Sequence, residues 1–171
     1  VKATEESKPS LISVLGKTAT ISGPVNGTLP FPGGAKQASR HSILIADLNY
    51  DFLPDIVFAS SGGLKLYQQT QQHTFVDVTA KTKLPASILN GKYNGVWMSD
   101  IDMDGDLDLI LGVDGGATIV LRNNGDGTYT PNKLFASVID LKDSAFLDID
   151  GDGDVDAALL DGKGNLHVFI N

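Results

Sequence analysis

One pattern constrains this chain more than any other: an aspartate ladder that recurs three times. It reads DLNYDFLPD from Asp47 to Asp55, DIDMDGDLD from Asp100 to Asp108 and DIDGDGDVD from Asp148 to Asp156. An apolar run follows each ladder: IVFA, LILG and AALL. Carboxylates at alternate positions of a tight turn repel one another, and such a turn is stable only with a cation among them. Hard oxygen ligands at this density select calcium, with about two to three Ca2+ expected per chain.

The ladders also explain the charge. They hold thirteen of the 21 acidic residues, and without them the net charge of −8 becomes +5. The acidity is therefore metal-site chemistry and does not argue for a basic partner. No run of Lys or Arg suggests a nucleic-acid partner. The absence of cysteine excludes disulfides and thiolate metal sites. No apolar stretch approaches the ~18 residues that crossing a bilayer requires, so membrane insertion is not expected. Low-affinity oxygen sites fill where calcium is abundant, which points to an extracellular or periplasmic protein, secreted or at the surface. The sequence starts at Val1 without a Met or a leader and reads as a mature or excised piece of something longer.

Around the ladders the chain repeats. The units begin at Asp47, Asp100 and Asp148. An apolar β-type run precedes each ladder (SILIA, GVWMS, SAFL) and another follows it. Next comes a glycine turn, at Ser61-Gly62-Gly63, Asp114-Gly115-Gly116 and Asp161-Gly162-Lys163-Gly164. A third run alternates (LKLY, TIVLRN, NLHVFIN), and the first two units add a fourth, TFVDVT and TYTP. Strand, loop, strand, turn, strand, loop, strand is the pattern of a propeller blade. Helical periodicity is not evident, and at most one turn is expected near Ala80 to Leu84.

The fold class is therefore all-β, with about three to four four-stranded blades of propeller type, a count that also fits part of a ring of about six to eight. Residues 1–10 read as a linker or terminus and 11–41 as a degenerate or partial blade. Residues 42–94 carry loop 1, 95–142 carry loop 2, and 143–171 form an incomplete blade with loop 3. Within 11–41, residues 11–22 read as two strands around Gly16-Lys17, and 26–31 as the last strand of the partial blade.

An EF-hand is excluded because its twelfth position needs a bidentate Glu, whereas Leu111 and Leu159 stand there, between strands. A merely solvated acidic face does not explain three copies with Asp or Asn at positions 1, 3, 5 and 9. His41, His73 and His167 lack ligand spacing. Trp97 reads as packing between blades. Ser60, Ser61 and Ser99 lack a nucleophile-elbow setting. No catalytic residue and no organic-cofactor site is assigned.

The pattern D-x-D-x-D-G-x-x-D between two strands resembles the FG-GAP or VCBS repeat of integrin-α-type β-propellers. Two further stretches resemble the relatives with the ASPIC/UnbV arrangement: Trp97-Met98-Ser99-Asp100, and Leu121 to Tyr129 with its counterpart Phe75 to Thr79. In that family side chains at positions 1, 3, 5 and 9 and the carbonyl at position 7 chelate calcium. The resemblance implies Asp100, Asp102, Asp104 and Asp108 with the Asp106 carbonyl in loop 2. In loop 3 it implies Asp148, Asp150, Asp152 and Asp156 with the Asp154 carbonyl. In loop 1 it implies Asp47, Asn49, Asp51 and Asp55 with the Leu53 carbonyl. Gly105 and Gly153 suit the positive φ expected at position 6. Loop 1 has Phe52 there, Pro54 at position 8 and Asn49 for a carboxylate, so it is expected to be the weakest site.

The functional expectation is a calcium-stabilised binding or adhesion scaffold with a protein or carbohydrate ligand. The alternatives are a blade set within a carbohydrate-active enzyme of polysaccharide-lyase type, or an assembly domain of a longer protein. Further blades from a parent chain, or a second copy, are expected to complete the ring.

Overall fold

The structure is a computed structural model that describes residues 9–33 and 38–171. Most of the 1–10 linker, and residues 34–37 of the partial blade, lie outside the described residues. The described chain forms four antiparallel sheets. The first holds β1 (Leu11–Leu15), β2 (Thr18–Ser22) and β3 (Gly27–Pro30). The second holds β4 (Ile43–Ala46), β5 (Asp55–Ser60), β6 (Gly63–Gln69) and β7 (Phe75–Asp77). The third holds β8 (Tyr93–Ser99), β9 (Asp108–Val113), β10 (Ile119–Asn123) and β11 (Tyr129–Asn132). The fourth holds β12 (Asp143–Leu147), β13 (Asp156–Leu160) and β14 (Leu166–Phe169).

Within each sheet every strand pairs with its sequence neighbour, so each sheet is a meander. Period-2 alternation sets the register. In β5 against β6, Val57 opposes Leu66 and Ala59 opposes Leu64, which puts four apolar side chains on one face. Each expected strand run forms a strand. Among the described residues the first and last sheets have three strands each.

The connection from β7 to β8 differs from expectation. A 3-10 turn runs over Thr79–Thr82, and a one-turn α-helix, α1 (Ala86–Leu89), follows it. Four helical residues carry too few apolar positions to register a 3.6 period. The helix belongs here because Leu84 and Ile88 plug the core between the second and third sheets.

Three cores separate the four sheets. Ala19, Ile21, Leu29 and Phe31 meet Ile56, Phe58 and Tyr67. Val57, Ala59, Leu64 and Leu66 meet Leu109, Leu111, Leu121 and Tyr129. Trp97, Ile110 and Val120 meet Ala157 and Leu159, with Phe135, Val138 and Leu141 filling the side. Trp97 thus packs between blades, as the sequence suggested. The alternate faces of β5 and β9 serve two different cores, which explains the unbroken apolar runs after the ladders. The far face of the last sheet has no such partner among the described residues: Leu147, Leu166 and Val168 stand exposed there.

Candidate metal centre

Each ladder is the loop between the first and second strands of a sheet, and it opens at the sheet's end. Its conformation is built by its own carboxylates. At position 1, Asp47 accepts hydrogen bonds from the N–H groups of Asp51 (3.1 Å) and Phe52 (2.8 Å). Asp100 accepts from Asp104 (3.1 Å) and Gly105 (3.0 Å). Asp148 accepts from Gly151 (2.6 Å) and Gly153 (3.1 Å). At position 5, Asp51, Asp104 and Asp152 each accept the N–H of position 7, from Leu53, Asp106 and Asp154, at 2.9, 3.0 and 2.9 Å. These bonds wrap the backbone around the carboxylates. Position 6 takes the expected left-handed conformation, with φ of 95° at Gly105, 97° at Gly153 and 67° at Phe52.

Position 9 is different in kind. Asp55, Asp108 and Asp156 are each only 1% exposed. One oxygen of each accepts the N–H of position 2: Leu48 (3.2 Å), Ile101 (3.1 Å) and Ile149 (2.7 Å). The other accepts an N–H at the end of the third strand's run: Gln69 (3.0 Å), Asn123 (2.8 Å) and Asn171 (2.8 Å). A single carboxylate at the start of the second strand thereby ties that strand to the head of the loop and to the end of the third strand's run. Burial pushes Asp55 and Asp108 up to about 6, against the pull of those backbone donors. At Asp156 the same donors, the Asn171 N–H foremost, prevail and hold the carboxyl below its usual value. The difference follows from position: Asp156 lies in the end sheet, with one neighbouring sheet to desolvate it.

The ladders bring three carboxylates together twice. Asp100, Asp102 and Asp104 offer oxygens within 4.8 Å of one another, and so do Asp148, Asp150 and Asp156. Asp108 and Asp152 fall outside these two groups. Loop 1 forms no such three-acid group: Asn49 interrupts its carboxylates and donates from Nδ2 to Asp51 Oδ2 at 3.1 Å. The position-7 residues Leu53, Asp106 and Asp154 are anchored in their loops through their own N–H groups, as described above.

The geometry adds residues that sequence reasoning did not assign. Arg122 on β10 reaches Asp104 at 3.1 Å and also pairs with Asp102. Tyr50 of loop 1 donates its hydroxyl hydrogen to the Gly105 carbonyl of loop 2. Asn123 Nδ2 donates to the Leu48 carbonyl at 3.1 Å, tying the second sheet to the third. Arg122 and Asn123 lay within a quoted motif, but nothing in their spacing says which loop they touch. Beside these residues a cavity of about 280 Å3 is lined in part by Asp55, Asp106, Asp126, Lys81 and Tyr129.

A model of the FG-GAP-like repeat matches residues 47–111 and again residues 100–159. The chain belongs to the FG-GAP-like repeat family. The two matched stretches run from ladder to ladder, so each FG-GAP-like match covers one acidic loop, the strands after it and the next loop. The blade-like sheets agree with this family assignment. A comparison with curated proteins returned no match.

Proposed function

We propose that this FG-GAP-like chain is a calcium-stabilised β-propeller module that serves as a rigid scaffold outside the cytosol. The observation that carries the reading is a three-carboxylate group in the corresponding loop of two successive repeats, at positions 1, 3 and 5 in one and 1, 3 and 9 in the other. The donor set fits the ion. All the ligand side chains are oxygen donors, none is His or Cys, and hard oxygen sets favour calcium over softer metals. Asp100, Asp102 and Asp104 would hold an ion in loop 2, with Asp108 and the Asp106 carbonyl behind them. Asp148, Asp150, Asp152 and Asp156, with the Asp154 carbonyl, would do so in loop 3. Asp47, Asn49, Asp51, Asp55 and the Leu53 carbonyl form the weakest site. Such an ion supplies charge neutralisation and is structural: it holds the first and second strands of a sheet in register.

Two points support the scaffold reading: among the described residues no helix is long and apolar enough to cross a membrane, and loops at the ends of sheets are where a surface for a protein or carbohydrate ligand is ordinarily carried. Elemental analysis after dialysis against trace calcium tests the reading. We expect about two to three calcium ions per chain, and a clear drop in melting temperature on chelation, since an ion bound by the native state alone stabilises it by mass action. Asp104→Ala and Asp152→Ala should each abolish part of that shift, and Asp51→Ala less. Identical melting with and without chelator, or tightly held zinc, sinks the proposal.

A further inference from the structure

The three loops are built alike, yet their carboxylates do not share the same neighbours. The backbone donors to position 9 place Gln69, Asn123 and Asn171 at matching points of the three repeats. The residue before each is Gln68, Arg122 and Ile170. Only in the third sheet does this residue carry a charge. The guanidinium of Arg122 spans two of the three clustered carboxylates of loop 2, Asp102 and Asp104. Loop 1 has its own internal donor, Asn49 Nδ2 on Asp51. Asp150 and Asp152 of loop 3 have no cationic partner among the described residues, and Ile170 is about half exposed.

We propose that Arg122 is a built-in counter-ion that sets loop 2 apart from loop 3, making loop 2 the weaker and more dispensable divalent-cation site. This rests on the calcium reading above. A fixed positive charge next to the ligating carboxylates acts twice. It relieves their mutual repulsion when no ion is bound, so the empty loop needs the ion less. It also repels an incoming divalent ion, and at the dielectric of an exposed loop that repulsion weakens affinity about tenfold. Loop 3 has neither effect. Its carboxylates have backbone donors but, among the described residues, no cationic side chain beside Asp150 and Asp152, which makes it the site that fills first.

The experiment is calorimetric titration of calcium into the chelator-stripped full chain, with two reciprocal variants. Arg122 and Ile170 both reach solvent, so Arg122→Gln and Ile170→Arg should keep the fold, as circular dichroism can verify. Apart from any still weaker binding at loop 1, we expect two affinity classes in the wild type: the tighter lost in Asp150→Ala, the weaker lost in Asp102→Ala. Arg122→Gln should tighten the weaker class about tenfold, and Ile170→Arg should weaken the tighter one. The calcium-free melting temperature of Arg122→Gln should fall below that of the wild type, a readout that does not depend on loading. Unchanged affinities in both variants, or tighter binding in Ile170→Arg, overturn the role of Arg122. Absence of calcium binding by the wild type overturns the calcium reading itself.

Discussion

At the residue scale the loops reward some side chains and tolerate others. Phe52 holds φ at 67° while its ring is 93% exposed, so it bears left-handed strain and buries almost nothing in return. Left-handed backbone costs an L-residue about 1–2 kcal/mol, so Phe52→Gly should raise stability by about 1 kcal/mol, read from urea unfolding. Gly153→Ala should do the reverse. The need for glycine at position 6 was visible because two of the three ladders have it. Position 4 was not legible, although it is left-handed in all three loops, with φ of 55° at Tyr50, 58° at Met103 and 82° at Gly151. Those residue types share no chemistry from which the conformation could be read. Position 9 shows a similar gap. The sequence presents it as one more ligand, whereas the fold buries it and uses both its oxygens to join strands. Asp108→Ala strands two buried N–H groups and should cost about 2–4 kcal/mol. That loss should persist in chelator, where Asp102→Ala should be nearly silent.

At the scale of the element, strands were legible because alternation and apolar runs are dictated by two-sided burial. Helix α1 was not, because its reason for existing is a hole between two sheets. The hairpin between β13 and β14 lies between these cases. Asp161-Gly162-Lys163-Gly164 announced a turn, but not what Asp161 does in it. Its Oδ1 accepts the N–H groups of Lys163 and Asn165, each at 2.8 Å. Its Oδ2 accepts from Asn165 Nδ2 at 2.9 Å and lies 3.0 Å from His167 Nε2. The His167 bond foremost, and then the Asn165 and Lys163 donors, hold this carboxyl far below its usual value. A depressed carboxyl stabilises the fold above the ordinary aspartate pKa of about 4, and the benefit is lost as pH falls through the lower folded value. Asp161→Asn should therefore melt earlier at pH 7. The gap to wild type should close as the pH drops below about 4, which a series of thermal melts would reveal. A gap that widened on acidification would contradict this account.

At the scale of the whole molecule, the sequence revealed the number and kind of repeats but not which faces remain free. The free face of the last sheet carries Leu166 and Val168, at the points where Leu64 and Leu66 of the second sheet lie buried. The opposite end presents Thr18, Thr20 and Ser22, with Leu11 and Leu15 beside them. Among the described residues, a second copy docked end to end would set Leu166 and Val168 against a face of hydroxyls flanked by Leu11 and Leu15. There is a thermodynamic corollary. Four slabs joined by three seams behave as a one-dimensional lattice, in which a unit's persistence is its own free energy plus one term per seam. The two middle slabs own two seams each and the terminal slabs own one. Opening should then start at the ends and move inward, like unpicking a row of stitches. Amide hydrogen exchange should rank protection accordingly: highest in β5, β6, β9 and β10, lower in β2 and β13. Uniform protection across the row would mean that the slabs open together as a single cooperative body.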